Sequence, residues 1–182
     1  MMYGKPDSRL RIEVNRMKEI LERTSCRNFK DFPVSDEDTE KLLRAAMQAP
    51  SMGNQQPWDF LVITDKAKLE ELAGIDTYAK FIAKTPEIIM ILGDRNEMRF
   101  PETWMMDCSA AAQNMLIEAN SLGLGAYWFG IVQSQERVDF VRKMFDLPES
   151  VIPFSLMGFG KMNRWTKPED RFDAARIHSE KW

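Results

Sequence analysis

Four short apolar runs punctuate this chain: "DFLVIT" at 59–64, "EIIMIL" at 87–92, "AYWF" at 126–129 and "FSLMGFG" at 154–160. Each is too short for a buried helix and is rich in β-branched or aromatic residues, so each predicts a strand. Segments with helical character lie between them: a short one at 65–73, a long one rich in Ala and Met at 103–122 with Gly123 as its C-cap, and one at 134–145 that stops before Pro148. Two more precede the first strand. Leu10, Val14, Met17 and Leu21 mark a helix over 8–23. Ser35 caps a second, with Asp36, Glu37 and Asp38 at the positive end of its dipole; it carries Leu42, Leu43, Ala46 and Met47 and ends near Ala49, ahead of Pro50. Helices alternating with strands predict three layers with the sheet in the middle. On pattern alone the strands would run parallel.

A chain of 182 residues without repeats, low-complexity tracts or linkers predicts one domain over 1–182. A net charge of −3 gives no electrostatic reason to expect nucleic acid or an anionic membrane as partner. Cys26 and Cys108 have no metal-ligand spacing and fit free thiols in a reducing compartment. No apolar run has the length of a membrane span, and the N-terminal stretch has no signal-peptide core. The expectation is a soluble, cytoplasmic protein.

Simple catalytic devices are missing. The one histidine, His178, lies in a polar tail, no GxSxG elbow accompanies it, and no set of zinc ligands is present. "GLGAYWFG" contains a GxG but follows a helix and precedes a strand, the reverse of a dinucleotide fingerprint. Two cationic clusters remain. Arg23, Ser25 and Arg27 in "RTSCRNF" read either as charges favoured at a helix end or as a phosphate clamp, with Cys26 between them as a buried or an activated thiol. Lys167 and Arg171 read as a solvated tail or as a second basic site.

The remaining candidate is "QAPSMGNQQPW" at 48–58. A rigid turn would use one or two of its polar groups for local bonds. Ser51, Asn54, Gln55 and Gln56 together, beside Met52 and Trp58, suit a flat heteroaromatic ligand that needs amides at its edge and apolar surface on its face.

Taken in order, "RTSCRNF", "QAPSMGNQQPWDFLVI" and "DCSAAAQNMLIEANSLGLGAYWFG" resemble motifs of the FMN-dependent nitroreductase family, over nearly the whole chain. The resemblance implies an α+β fold with a mainly antiparallel four-stranded sheet between helices, built as an intertwined homodimer with FMN at the interface. It implies that Arg23, Ser25 and Arg27 hold the phosphate and ribityl end together with Arg171, and places Thr24 in the same segment, where the family often has a basic residue. It implies that Pro50, Ser51, Met52 and Asn54 line the isoalloxazine ring from the partner chain, although small hydroxyl residues are frequent where Met52 and Gly53 stand. Trp128, Phe129 and Gly130 match the stretch that passes the flavin N5. This is a short member, so the excursion that covers the flavin reduces to about 95–104. Trp104, Met105, Met106 and the aromatic tail supply apolar surface for the dimer.

The implied reaction has two half-reactions at one site. NADH or NADPH gives hydride to the flavin, and a nitroaromatic or quinone-like acceptor then takes its place. The cofactor carries the chemistry, which fits the absence of an acid–base pair. Two rivals remain open: reductive dehalogenation or flavin fragmentation on the same fold, and FMN storage or sensing without turnover.

Overall fold

The computed structural model describes residues 18–182. Of the expected first helix, only α1 (Lys18–Leu21) falls among them, and the rest of 8–23 lies outside the described residues. Then follow α2 (Asp36–Met47), β1 (Trp58–Ile63), α3 (Lys66–Leu72), β2 (Glu87–Asp94), α4 (Trp104–Ser121), β3 (Gly125–Gly130), α5 (Gln135–Met144) and β4 (Val151–Gly160). Helix starts follow their caps: the hydroxyl of Ser35 accepts from Asp38 N–H at 3.2 Å, and the carboxylate of Asp65 accepts from Lys68 N–H at 2.9 Å.

The four strands form one sheet in the order β1-β2-β4-β3, and every pairing is antiparallel. This is the antiparallel four-stranded sheet that the resemblance implies, and the parallel arrangement expected from pattern alone is corrected. The cause is β2, where seven consecutive residues from Glu87 to Gly93 are buried. A central strand covered on both faces reads as a continuous apolar run whichever way its neighbours point. β4 also starts three residues before its apolar run suggests. It contains Pro153, which a central strand tolerates because the β2–β4 register shifts between Ile91 and Leu92, at a bulge.

Alternation along the strands sorts the core into two layers. Ile88, Met90, Tyr127 and Leu156 face α3 and α5, packing with Leu69, Leu72, Val138 and Val141. Ile89, Ile91, Met157 and Phe159 face α2 and α4, packing with Leu42, Ala46, Cys108 and Met115. β1 and β3 are the edge strands, and they carry the two stretches that the sequence singles out.

Candidate functional site

The loop before β1 is built from strained backbone. Residues 52–54 make one 3-10 turn, and Gly53, Asn54 and Gln56 all take left-handed conformations with φ of 54°, 54° and 47°. Local bonds brace the top of the loop. Asn54 N–H donates to Ser51 O at 3.0 Å, Gln56 N–H to Ser51 Oγ at 3.0 Å, and Gln56 Nε2 to Asn54 Oδ1 at 2.9 Å. Asn54, Gln56 and Met52 are exposed, while Gln55 points the other way, into the protein, with 5% of its surface accessible. The sequence groups Gln55 with the ligand-facing amides. The structure separates it from them.

Under the loop lies Asp107, in the first turn of α4 and 5% exposed. Its Oδ1 accepts from Met52 N–H at 3.0 Å and its Oδ2 from Gln55 Nε2 at 2.6 Å. Gln55 Nε2 also reaches Thr103 Oγ1 at 3.1 Å, and Gln55 Oε1 accepts from Phe100 N–H at 2.9 Å. Arg99 donates to Gly53 O. The expected cover near 95–104 is therefore a short turn latched onto the loop. Gly53 is required here twice over: its φ is left-handed, and a Cβ would come within 2.6 Å of the Phe100 ring. Asp107 opens the stretch "DCSAAAQNMLIEANSLGLGAYWFG" that carries the resemblance, but as one acid in a mostly apolar helix it is given no role by sequence reasoning.

The cationic segment lies along the other edge. Ser25 bridges Ala126 of β3 in parallel, and Cys26 N–H donates to Ala126 O at 2.8 Å. Arg23, Thr24 and Arg171 line one groove of about 530 Å³, which Glu22, Glu169 and Asp170 also line, so its charge is mixed. Arg27 does not line it. Its guanidinium stands 5.6 Å from the centre of the Phe81 ring, on the α3/α5 face. Ser25 is exposed. Cys26 is buried, and its Sγ donates to Asn28 O at 3.3 Å, which favours packing over reactivity. Lys167 is exposed and outside the groove, and His178 stacks on Trp182 at 4.2 Å in the exposed tail. Met105 and Met106 are exposed as expected, but Trp104 is not: it is 8% exposed and packs edge-on against Phe154.

The end of β3 divides between the two faces. Trp128 packs towards Phe154, on the α4 side, with ring centres 5.7 Å apart. Phe129 sits on the opposite side beneath Arg137, whose guanidinium is 4.8 Å from the ring centre. Arg137 then closes the strand end: Nη1 donates to Gly130 O at 2.9 Å, and Nη2 and Nε reach Asp76 Oδ2 at 2.6 and 3.2 Å. The Tyr78 backbone N–H, followed by Arg137, holds the Asp76 carboxyl below its usual range. A Cβ on Gly130 would collide with the Gln133 side chain. Sequence reasoning singles out Phe129 and Gly130 at this strand end but not Arg137 and Asp76, which read as ordinary surface charges.

Within one chain, then, the amide loop opens onto β1 while the cationic segment and the Gly130 end belong to β3. The two stand on opposite edges of a four-stranded sheet, three strand spacings or roughly 14 Å apart.

The family model described as "Nitroreductase family" matches residues 20–77 and 75–161. The chain belongs to the nitroreductase family. Among its family relatives is a protein of Archaeoglobus fulgidus provisionally named NADH dehydrogenase/NAD(P)H nitroreductase, 38% identical over 91% of this chain and 98% of the relative. A solved structure from Clostridium acetobutylicum, provisionally an NADH oxidase, is 45% identical over 90% of this chain and 99% of its own, with a TM-score of 0.87. A nitroreductase-type structure from Desulfovibrio desulfuricans solved in complex with FMN is 27% identical, with a TM-score of 0.78 over 98% of this chain and 99% of its own. Among the described residues no helix is long and apolar enough to cross a membrane.

Proposed function

We propose that this nitroreductase-family chain is an FMN-dependent oxidoreductase that takes hydride from NADH or NADPH and passes it to a nitroaromatic or quinone-like acceptor. The working form is a homodimer in which each flavin is held by two chains. The observation that carries the reading is the separation of the two candidate surfaces on opposite edges of one sheet. A single chain would have to bend one ligand around the sheet to use both. Two chains packed face to face bring the cationic segment of one to the amide loop of the other.

The residues fit the cofactor's chemistry. Arg23, Thr24 and Arg171 already converge on one groove, and guanidinium forks suit a phosphate. From there β3 runs from Ala126 to Gly130, roughly 13 Å of strand, a path suited to a ribityl chain and the start of a ring. Asn54 presents its amide on an exposed, backbone-fixed tip, beside the exposed Met52 side chain. That supplies a polar edge and an apolar face. When bound, FMN would accept and release hydride at N5. Phe129, Gly130 and Arg137 would fix the approach on one side, and the exposed surface leaves protons to solvent. The small cover over 95–103 leaves the site open to acceptors of varied shape, which disfavours chemistry that needs an enclosing lid.

Purified, FMN-loaded protein under anaerobic conditions should bleach on adding NADH or NADPH and recover its yellow colour on adding a quinone. Sedimentation at micromolar concentration should give a dimer. A stable flavin-bound monomer would rule out the shared site, and flavin that neither nucleotide bleaches would favour storage or sensing.

A further inference from the structure

We propose that Asp107 and Gln55 are positioning residues of the flavin site: a buried carboxylate–amide pair that sets the backbone of residues 51–54 and couples it to the segment over 95–103. This rests on the flavin reading above and goes beyond the residues expected to touch the cofactor. Both side chains are 5% exposed, so neither faces solvent or an approaching ligand.

The pair has one arrangement of donors and acceptors. A carboxylate can only accept, and both of its oxygens are used: Oδ1 by Met52 N–H at 3.0 Å and Oδ2 by Gln55 Nε2 at 2.6 Å. Its charge sits in the first turn of α4, where the helix dipole favours it. Gln55 spends its amide group on Asp107 and Thr103, and its carbonyl on Phe100 N–H. Rotating the Gln55 amide by half a turn would set its oxygen against the carboxylate, so Asp107 dictates how Gln55 stands. Gln55 in turn fixes the backbone between two left-handed residues, Asn54 and Gln56. Such conformations persist only where the surroundings over-determine them. Asn54 therefore points outwards because Gln55 is pulled inwards. Through Phe100 and the Arg99 bond to Gly53, the cover is part of the same unit, so displacing it also displaces the ring frame.

The test is a polarity swap in full-length, FMN-loaded protein. Asp107→Asn alone sets two amide nitrogens against each other, and Gln55→Glu alone sets two carboxylates against each other. The double variant reverses donor and acceptor: the new amide at 107 donates to the new carboxylate at 55, while Met52 N–H and Phe100 N–H keep their acceptors and the net charge is unchanged. Each single variant should slow anaerobic flavin reduction by NADH or NADPH at least about tenfold and shift the visible flavin bands. The double variant should return the rate to within about threefold of wild type. Gln55→Met, which removes the amide without adding charge, should show the same rate loss if a single variant fails to fold. The proposal is overturned if single variants melt lower yet keep the wild-type rate and spectrum, or if the double variant is no better than the worse single one. Wild-type protein that binds no FMN would instead overturn the flavin reading, and this is seen before any variant is made.

Discussion

Two carboxylates are buried among the described residues, one at the start of α4 and one at the start of β2, and they are treated in opposite ways. Asp107 has a donor for each oxygen and the positive end of an 18-residue helix beneath it. Glu87 is 2% exposed; among the described residues its Oε2 meets only the Thr39 hydroxyl, at 2.8 Å, and its Oε1 has no partner. Desolvation pushes the Glu87 carboxyl up from its ordinary value, and Asp36 and Asp38 nearby add to the effect. Burial alone therefore does not mark a site. The carboxylate whose charge is satisfied holds up a loop with candidate function. The one left short of partners is a fold residue that is easier to bury protonated.

The sharpest way to break this contrast is to truncate the satisfied member. Asp107→Ala should cost about 3–5 kcal/mol, because it strands a backbone N–H and a buried amide that both donated to a charge. In a chain of this size that lowers Tm by on the order of 10 °C, read by calorimetry on the apo-protein. A loss no larger than that of an exposed acid such as Asp59 would mean the loop is braced mainly by its own local bonds.

A smaller loss should come from above the carboxylate. Gly53→Ala forces a Cβ into a left-handed conformation and against Phe100, at about 1–3 kcal/mol. Adding Phe100→Ala should recover the steric part only and leave the backbone strain, which a double-mutant cycle on Tm would separate. Full recovery would show that the left-handed φ at 53 is not a constraint.

At the loop's tip the expected stability effect is smaller again. Asn54 is exposed, and its side chain meets only Gln56 among the described residues. Asn54→Leu loses that bond and puts a leucine at a left-handed φ, so it should cost about 1–2 kcal/mol of stability in apo and loaded protein alike, yet also weaken FMN binding or slow its reduction by roughly tenfold. Paired melts of apo and loaded protein, with an FMN titration, check this. Equal losses in both melts with unchanged flavin behaviour would reduce Asn54 to a turn residue.

These graded effects show what the sequence can and cannot disclose. The strands and helices were legible because apolar spacing is a local property, and the edges of most elements fall within one or two residues of the expected positions. Strand direction was not legible from spacing, since β2 is apolar throughout for reasons of burial on two faces rather than of pairing; only the motif resemblance pointed to the antiparallel sheet. The loop at 48–58 stood out because its residue types are costly for a mere connector. Asp107 and Arg137 could not stand out in the same way, and Gln55 stood out only among the ligand-facing amides, not for its inward role. Their roles depend on partners 52 residues away in one case and 61 in another, and a lone acid, amide or guanidinium has no local signature. Trp104 reads as surface in the sequence because an aromatic at a helix start carries no mark of which way it turns.

The mildest prediction concerns Glu87 and has the opposite sign. Thr39 Oγ1 lies 2.8 Å from Glu87 Oε2 and 3.1 Å from Ser35 O, yet has one proton to give. With Glu87 ionised, the two acceptors compete for it. With Glu87 protonated, its O–H donates to Thr39, whose own proton goes to Ser35 O, so each donor has an acceptor. Because the folded-state pKa is raised above the unfolded value, this contribution to stability is fully present below the ordinary value of 4.5 and is lost as pH rises through the folded value. Glu87→Gln keeps the protonated pattern at every pH. It should leave Tm unchanged in acid and raise it at neutral pH by about 1 kcal/mol, or roughly 2–4 °C. Melting both proteins from pH 4 to pH 8 gives the difference curve. A variant less stable than wild type at pH 7 would mean that the ionised carboxylate is itself stabilising, and that the two buried acids are not opposites.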